Sequence, residues 1–157
     1  MRRLFPFTLS ALLLLTTASI ARQNFTQQQL KLLQDPGGWQ YVTVTDPDSG
    51  VQTKHTCFDG KPHPEECSGV LTFRPDNTFV KDIHIHGQQV QRHGTYRLNG
   101  NQLAFYDEFG TQDGPYTVAI DAEKNAMTMD MPQVHIELMF ERAYRDAIRK
   151  SDQHKIP

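Results

Sequence analysis

The sequence predicts an all-β protein: an antiparallel up-and-down meander closed into a barrel of about eight strands, with a short helix at each end. Three observations predict it. Between Leu71 and Tyr106 short runs alternate apolar and polar residues, as in L-T-F, G-T-Y-R-L and Q-L-A-F-Y, and a period of two means strands with one buried face. Pro75-Asp76-Asn77 and Asn99-Gly100-Asn101 punctuate those runs with turn chemistry. The connections are short throughout, so strands pair with their sequence neighbours. Eight or nine strands with one apolar face each remove their edges most simply by closing.

The elements follow in order. Arg2 and Arg3 precede an apolar run from Leu9 to Leu15, and Ser19-Ile20-Ala21 supplies small residues for cleavage. This is the layout of a secretory signal peptide over 1–21. The run is too short for a comfortable membrane span, and no cysteine stands at the cleavage point to carry a lipid. The expected product is secreted or periplasmic, with a barrel domain over 22–142 and a helical turn and polar tail over 143–157. It has 157 − 21 = 136 residues and, without Arg2 and Arg3, a net charge of 14 − 18 = −4. That length supports one domain with a core. The mild negative charge argues against nucleic acid or an anionic membrane as partner, and no membrane span is expected after cleavage. Nothing in the sequence specifies an oligomeric state or calls for a cofactor.

Phe25 to Gln34 reads as a short helix, with Thr26 and Gln29 placed for a capping box. Leu30 and Leu33 are spaced to cover an apolar surface, and Asp35-Pro36-Gly37-Gly38 ends the helix. Strands are expected at 39–45, 51–57, 69–74, 78–86, 93–98, 102–107, 115–121, 126–131 and 134–141, then helical turns over Ala143–Lys150. Alternation assigns the inward face, including Leu71, Phe73, Phe79, Ile83, Tyr96, Leu103, Phe105, Tyr116, Val118, Met127, Ile136, Leu138 and Phe140. Pairing 78–86 with 93–98 around a loop at 87–92 sets Asp82 opposite Arg97, His84 opposite Thr95, His86 opposite His93 and Ile83 opposite Tyr96. An ion pair then falls on one face and an apolar pair on the other. Cys57 and Cys67 are the only cysteines and flank a loop with two prolines. In an exported chain they are expected to form a disulfide.

Gly37-Gly38-Trp39, the L-T-F and G-T-Y-R-L-x-G-N-x-L runs, and Phe140-Glu141-Arg142 together resemble the lipocalin-like (calycin) barrels. The segment from Gly94 to Asp113 is also similar to short avidin-like bacterial barrels. The resemblance implies a lipocalin-like fold, with Trp39 at the closed end and Arg142 stacked across its ring. It further implies that a small apolar or amphipathic molecule binds in the mouth, with enzymes a minority among such barrels.

On that reading the ligand-binding residues are Tyr41, Phe73, Phe79, Tyr96, Phe105 and Phe140, with Lys81 at the rim. Lys81 falls in the inward register between Phe79 and Ile83, where an ammonium needs a partner or a path to water. It would anchor a carboxylate. Tyr41 and Thr43 are placed on the face of Trp39 and would add polar groups to a pocket. His84, His86 and His93 are weak metal candidates: H-x-H puts two imidazoles on one side of a strand, but on the polar side, with Asp82. The acids at 46–48 and 107–113 read as turn composition. No nucleophile elbow, phosphate loop or H-E-x-x-H occurs, so no catalytic residue is assigned. Two alternatives to ligand binding stand. One is a filled barrel acting as an envelope or extracellular protein-interaction module. The other is an isomerase- or hydrolase-type barrel enzyme, which would need an inward titratable cluster.

Overall fold

The computed structural model describes residues 24–48 and 51–153; the expected signal segment and the last residues of the tail lie outside them. A first helix, α1 (Gln27–Leu33), is followed by nine strands and a second helix, α2 (Glu141–Gln153). The strands are β1 (Trp39–Asp48), β2 (Val51–Thr56), β3 (Cys67–Phe73), β4 (Thr78–Ile85), β5 (Gln88–Asn99), β6 (Gln102–Asp107), β7 (Gln112–Asp121), β8 (Ala126–Met131) and β9 (Val134–Phe140). All pairings are antiparallel, and β1 pairs with both β3 and β9, which closes an eight-stranded barrel. The ninth strand, β2, is extra. β1 pairs with β3 only at Trp39 and Gln40, then with β2 from Thr43 onward.

The alternating apolar residues fill the barrel as their parity requires. Leu71, Phe73, Phe79, Leu103, Met127, Met129 and Leu138 are at most 2% exposed, and one contiguous cluster joins every strand except β2. Burying side chains of this size is worth about 1.5–3 kcal/mol each. α1 lies across one end. Thr26 accepts the Gln29 N–H and the Gln29 side chain accepts the Thr26 N–H, completing the capping box. The Gln29 amide then donates to the Ile120 carbonyl (2.7 Å) and the Gln34 amide to the Tyr96 hydroxyl (2.8 Å). Trp39, fully buried beneath it, donates its ring N–H to the Leu33 carbonyl (3.3 Å). α2 starts where the Glu141 N–H meets the Gly38 carbonyl (3.1 Å), and its Tyr144 ring packs on Phe58 (4.7 Å). The Cys57–Cys67 disulfide ties the end of β2 to the start of β3.

Two expectations are corrected here. The β4–β5 hairpin does not turn through a loop at 87–92. It turns in two residues, His86 (φ 46°) and Gly87 (φ 76°), and β5 begins at Gln88. Positive φ at both central positions is what a tight hairpin turn needs to match strand twist. Asp82 therefore faces Gln91, His84 faces Gln89, Ile83 faces Val90 and Lys81 faces Arg92. The slip is an even number of residues, so the inward face survives it. The second correction is a bulge at Val42, between the Tyr41 and Thr43 pairings. The Val42 carbonyl accepts the N–H groups of Cys57 and Phe58. Thr43 thereby leaves the face of Trp39 and Tyr41. It lies opposite Glu137 and donates to its carboxylate (2.8 Å).

Candidate functional site at the barrel mouth and the β5 edge

The seven residues expected to bind a ligand are spread along the barrel from its closed end to its mouth. Phe73, Tyr96 and Phe140 belong to the closed end. Tyr96 receives the Gln34 amide and donates to the Arg74 carbonyl (3.1 Å), and Phe140 stands edge-on to Trp39 at 5.6 Å. Phe79 and Phe105 form the middle, with ring centroids 4.7 Å apart. Phe105 also stacks on Phe73 (5.8 Å) and meets Tyr116 edge-on (5.9 Å). Together with Tyr41 these aromatic side chains are between 0 and 4% exposed. Edge-to-face pairs at such distances are attractive beyond their burial, so the rings hold each other in the lumen.

A polar layer lies above them. Lys81 points inward from β4, as its register predicts, and its ammonium lies 3.5 Å from the Asp113 carboxylate of β7. The other Asp113 oxygen accepts the Tyr116 hydroxyl (2.7 Å). Burial, and secondarily the Asp113 charge, push the Tyr41 phenol well above its ordinary range. Burial and the hydrogen bond to Asp113 do the same for Tyr116. Lys81 and Asp113 keep partial access to water, with side chains 18% and 32% exposed. Arg92, opposite Lys81, reaches Asp107 of β6 (3.3 Å). This is the inward titratable cluster a barrel enzyme requires. Burial favours the protonated form of its phenols, the Asp113 carboxylate meets both a hydroxyl and an ammonium, and the Asp107 carboxylate meets Arg92.

The wall beside this layer is incomplete. β5 pairs with β4 from Gln88 to Thr95 but with β6 only from Gly94 onward. Gly94 permits the approach: a Cβ there would lie 2.0 Å from the Tyr106 carbonyl oxygen. β6 then stops, because Asp107 accepts the N–H groups of Phe109 and Thr111 and folds the chain back. Residues 88–93 are left with one free edge along a cleft of about 400 Å³, lined by Val90, Arg92, His93, Asp107, Glu108 and Phe109 among others. Phe109 is 85% and Val90 38% exposed, and they are the large exposed hydrophobics among the described residues. The sequence shows Phe109 only as part of an acidic turn, and the unpaired stretch follows from the β4–β5 register.

The remaining candidates lie apart. His93 pairs with Glu108 (3.2 Å), His84 lies 3.9 Å from Asp82, and the His86 ring meets His55 edge-on (4.7 Å). The corrected register therefore does not set His93 beside His86. Among the described residues no group of three or more histidines, cysteines and acids could hold a metal ion. Arg142 is exposed at the start of α2, in a small cleft with Lys31 and Asp35. The cation–π contact found among the described residues is instead Arg97 over Tyr106 (4.9 Å), and Phe140 is the ring against Trp39. Compared with known proteins, the chain matches no family, and no curated protein or solved structure is significantly similar to it.

Proposed function

We propose that this is an exported, lipocalin-like barrel with a solid interior that works through its surface, as an extracellular or envelope protein-interaction module. One observation carries the reading. The aromatic side chains that a lumenal ligand would have to displace are almost fully buried and pack on one another. Rings this buried and this closely packed argue against an empty lumen of the roughly 300 Å³ that a ligand pocket occupies. The face we assign to the role is the slot along β5, where a free strand edge, Val90 and Phe109 come together. An extended segment added there gains main-chain hydrogen bonds for affinity and side-chain contacts for specificity. The test is selection of a random peptide library on the protein and on Gln91→Pro. Peptides with alternating apolar positions should enrich on the first and be lost on the second. Equal enrichment on both would remove β5 from the reading.

The polar layer favours a second reading, in which a small amphipathic molecule sits in the mouth with its carboxylate on Lys81. A fatty-acid-like probe must then compete with Asp113 for the ammonium. Lys81→Met should weaken such probes more than neutral ones. Equal loss for both would leave Lys81 without that role.

A further inference from the structure

We propose that the occupant of the β5 slot is β5 of a second copy of this chain, so that two barrels join edge to edge across a two-fold axis at Gln91. The inference rests on the surface-acting reading and names its partner.

The backbone supplies the bonds. Tyr96 donates its N–H to the Asn77 carbonyl (2.8 Å), so even-numbered residues of β5 turn their polar groups toward β4. By alternation Gln89, Gln91 and His93 turn theirs the other way, where β6 no longer reaches. The edge is ordered before any partner arrives. Its residues are paired along β4, and the Gln89 and Gln91 side-chain amides both donate to Asp82 (3.1 and 3.0 Å). An edge held in its binding conformation loses little entropy on association.

The edge also lacks the usual protection. Natural sheets blunt free edges with lysine, proline or bulges. β2, which ends the strand order, carries Lys54. Gln88-Gln89-Val90-Gln91-Arg92-His93 carries no lysine, proline or acid. It is instead flanked by exposed Phe109.

Self-pairing is compatible with its charges. A two-fold axis at Gln91 puts Gln91 opposite the partner's Gln91, Gln89 opposite the partner's His93, and Val90 opposite the partner's Arg92. Every outward residue then finds an outward residue, and each cation meets a neutral side chain. Shifting by two residues in one direction confronts Arg92 with itself; in the other it leaves His93 unpaired. The contact is isologous and closes on itself, so it makes dimers, not fibres.

Sedimentation velocity from low to high micromolar concentration tests this, with two variants. Gln91→Pro removes an outward N–H without touching the β4 ladder, and Phe109→Ser removes the exposed ring. The wild type should become dimeric. Each variant should raise the dimer dissociation constant about tenfold or more, with circular dichroism unchanged and, for Phe109→Ser, the melting temperature of the monomer unchanged. Amides of Gln89, Gln91 and His93 should exchange more slowly at the higher concentration. If Gln91→Pro fails to fold, Phe109→Ser carries the test. A wild type that stays monomeric throughout overturns the proposal, even where slot-dependent peptides bind and the surface-acting reading stands. A dimer that both variants leave intact also overturns it.

Discussion

Gly94 illustrates how single residues decide where this barrel is closed and where it is open. A Cβ at that position would meet the Tyr106 carbonyl oxygen at 2.0 Å and the Asp107 Cα at 2.9 Å. Both are backbone atoms that cannot turn aside, so Gly94→Ala should cost about 2–4 kcal/mol, read as a lower urea midpoint with an unchanged slope. A milder residue-scale test lies on the β8–β9 surface, where His135 hydrogen-bonds Asp130. That bond, with help from Glu137, raises the His135 pKa above the ordinary 6.5, while the hydrogen bond from Thr43 lowers that of Glu137 below its ordinary 4.5. The histidine's contribution is complete below about 6.5 and is lost as pH rises through its raised folded value. That of Glu137 is present above about 4.5 and is lost as pH falls through its lowered value. An NMR titration should place the His135 midpoint above 6.5, and Asp130→Asn should bring it down; a wild-type midpoint at or below 6.5 would contradict the pairing. Lys81 was legible in the sequence as an inward cation because parity alone places it. Its partner was not: Asp113 sits in an acid-and-glycine stretch that composition reads as a turn. Arg92 shows its inward side only once the hairpin register is known.

At the scale of elements, alternation is robust and register is not. Every even slip of one strand against its neighbour keeps the same residues inside, so the β4–β5 pairing had to come from the turn. The turn contains His86 at positive φ, a conformation uncommon for a non-glycine residue, and the sequence gives it no flag beyond the adjacent Gly87. The bulge at Val42 is hidden for a similar reason, since a carbonyl that serves Cys57 and Phe58 leaves no mark on residue type. The α1 capping box and the Cys57–Cys67 disulfide were legible because each depends on residue types at fixed or near spacing. The disulfide closes a short loop whose Phe58 supports Tyr144 of α2. Reducing it should lower the unfolding free energy by about 2–4 kcal/mol. In chemical denaturation that is a lower midpoint; an unchanged one would show that the loop is held by its packing alone. The intact protein should weigh two hydrogens less than the dithiol by mass spectrometry.

At the scale of the molecule, the chain builds a barrel that is closed by α1 at one end, packed with rings through its middle, and topped by a layer in which each charge has a partner. Such an interior gives a rigid frame, and the wall beside β5, where residues 88–93 pair on one side alone, is the face to which we assign the proposed interaction. The two readings of the mouth differ in one physical quantity, the empty space inside. Xenon enters dry apolar cavities and binds where a lumen has room for it. Crystals of the protein pressurised with xenon therefore measure that space directly. A packed lumen should hold no xenon among Tyr41, Phe79, Phe105 and Tyr116, and a panel of apolar probes should leave the melting temperature unchanged. An occupied xenon site between those rings, with probes that stabilise the fold by mass action, would contradict it and make the barrel a container.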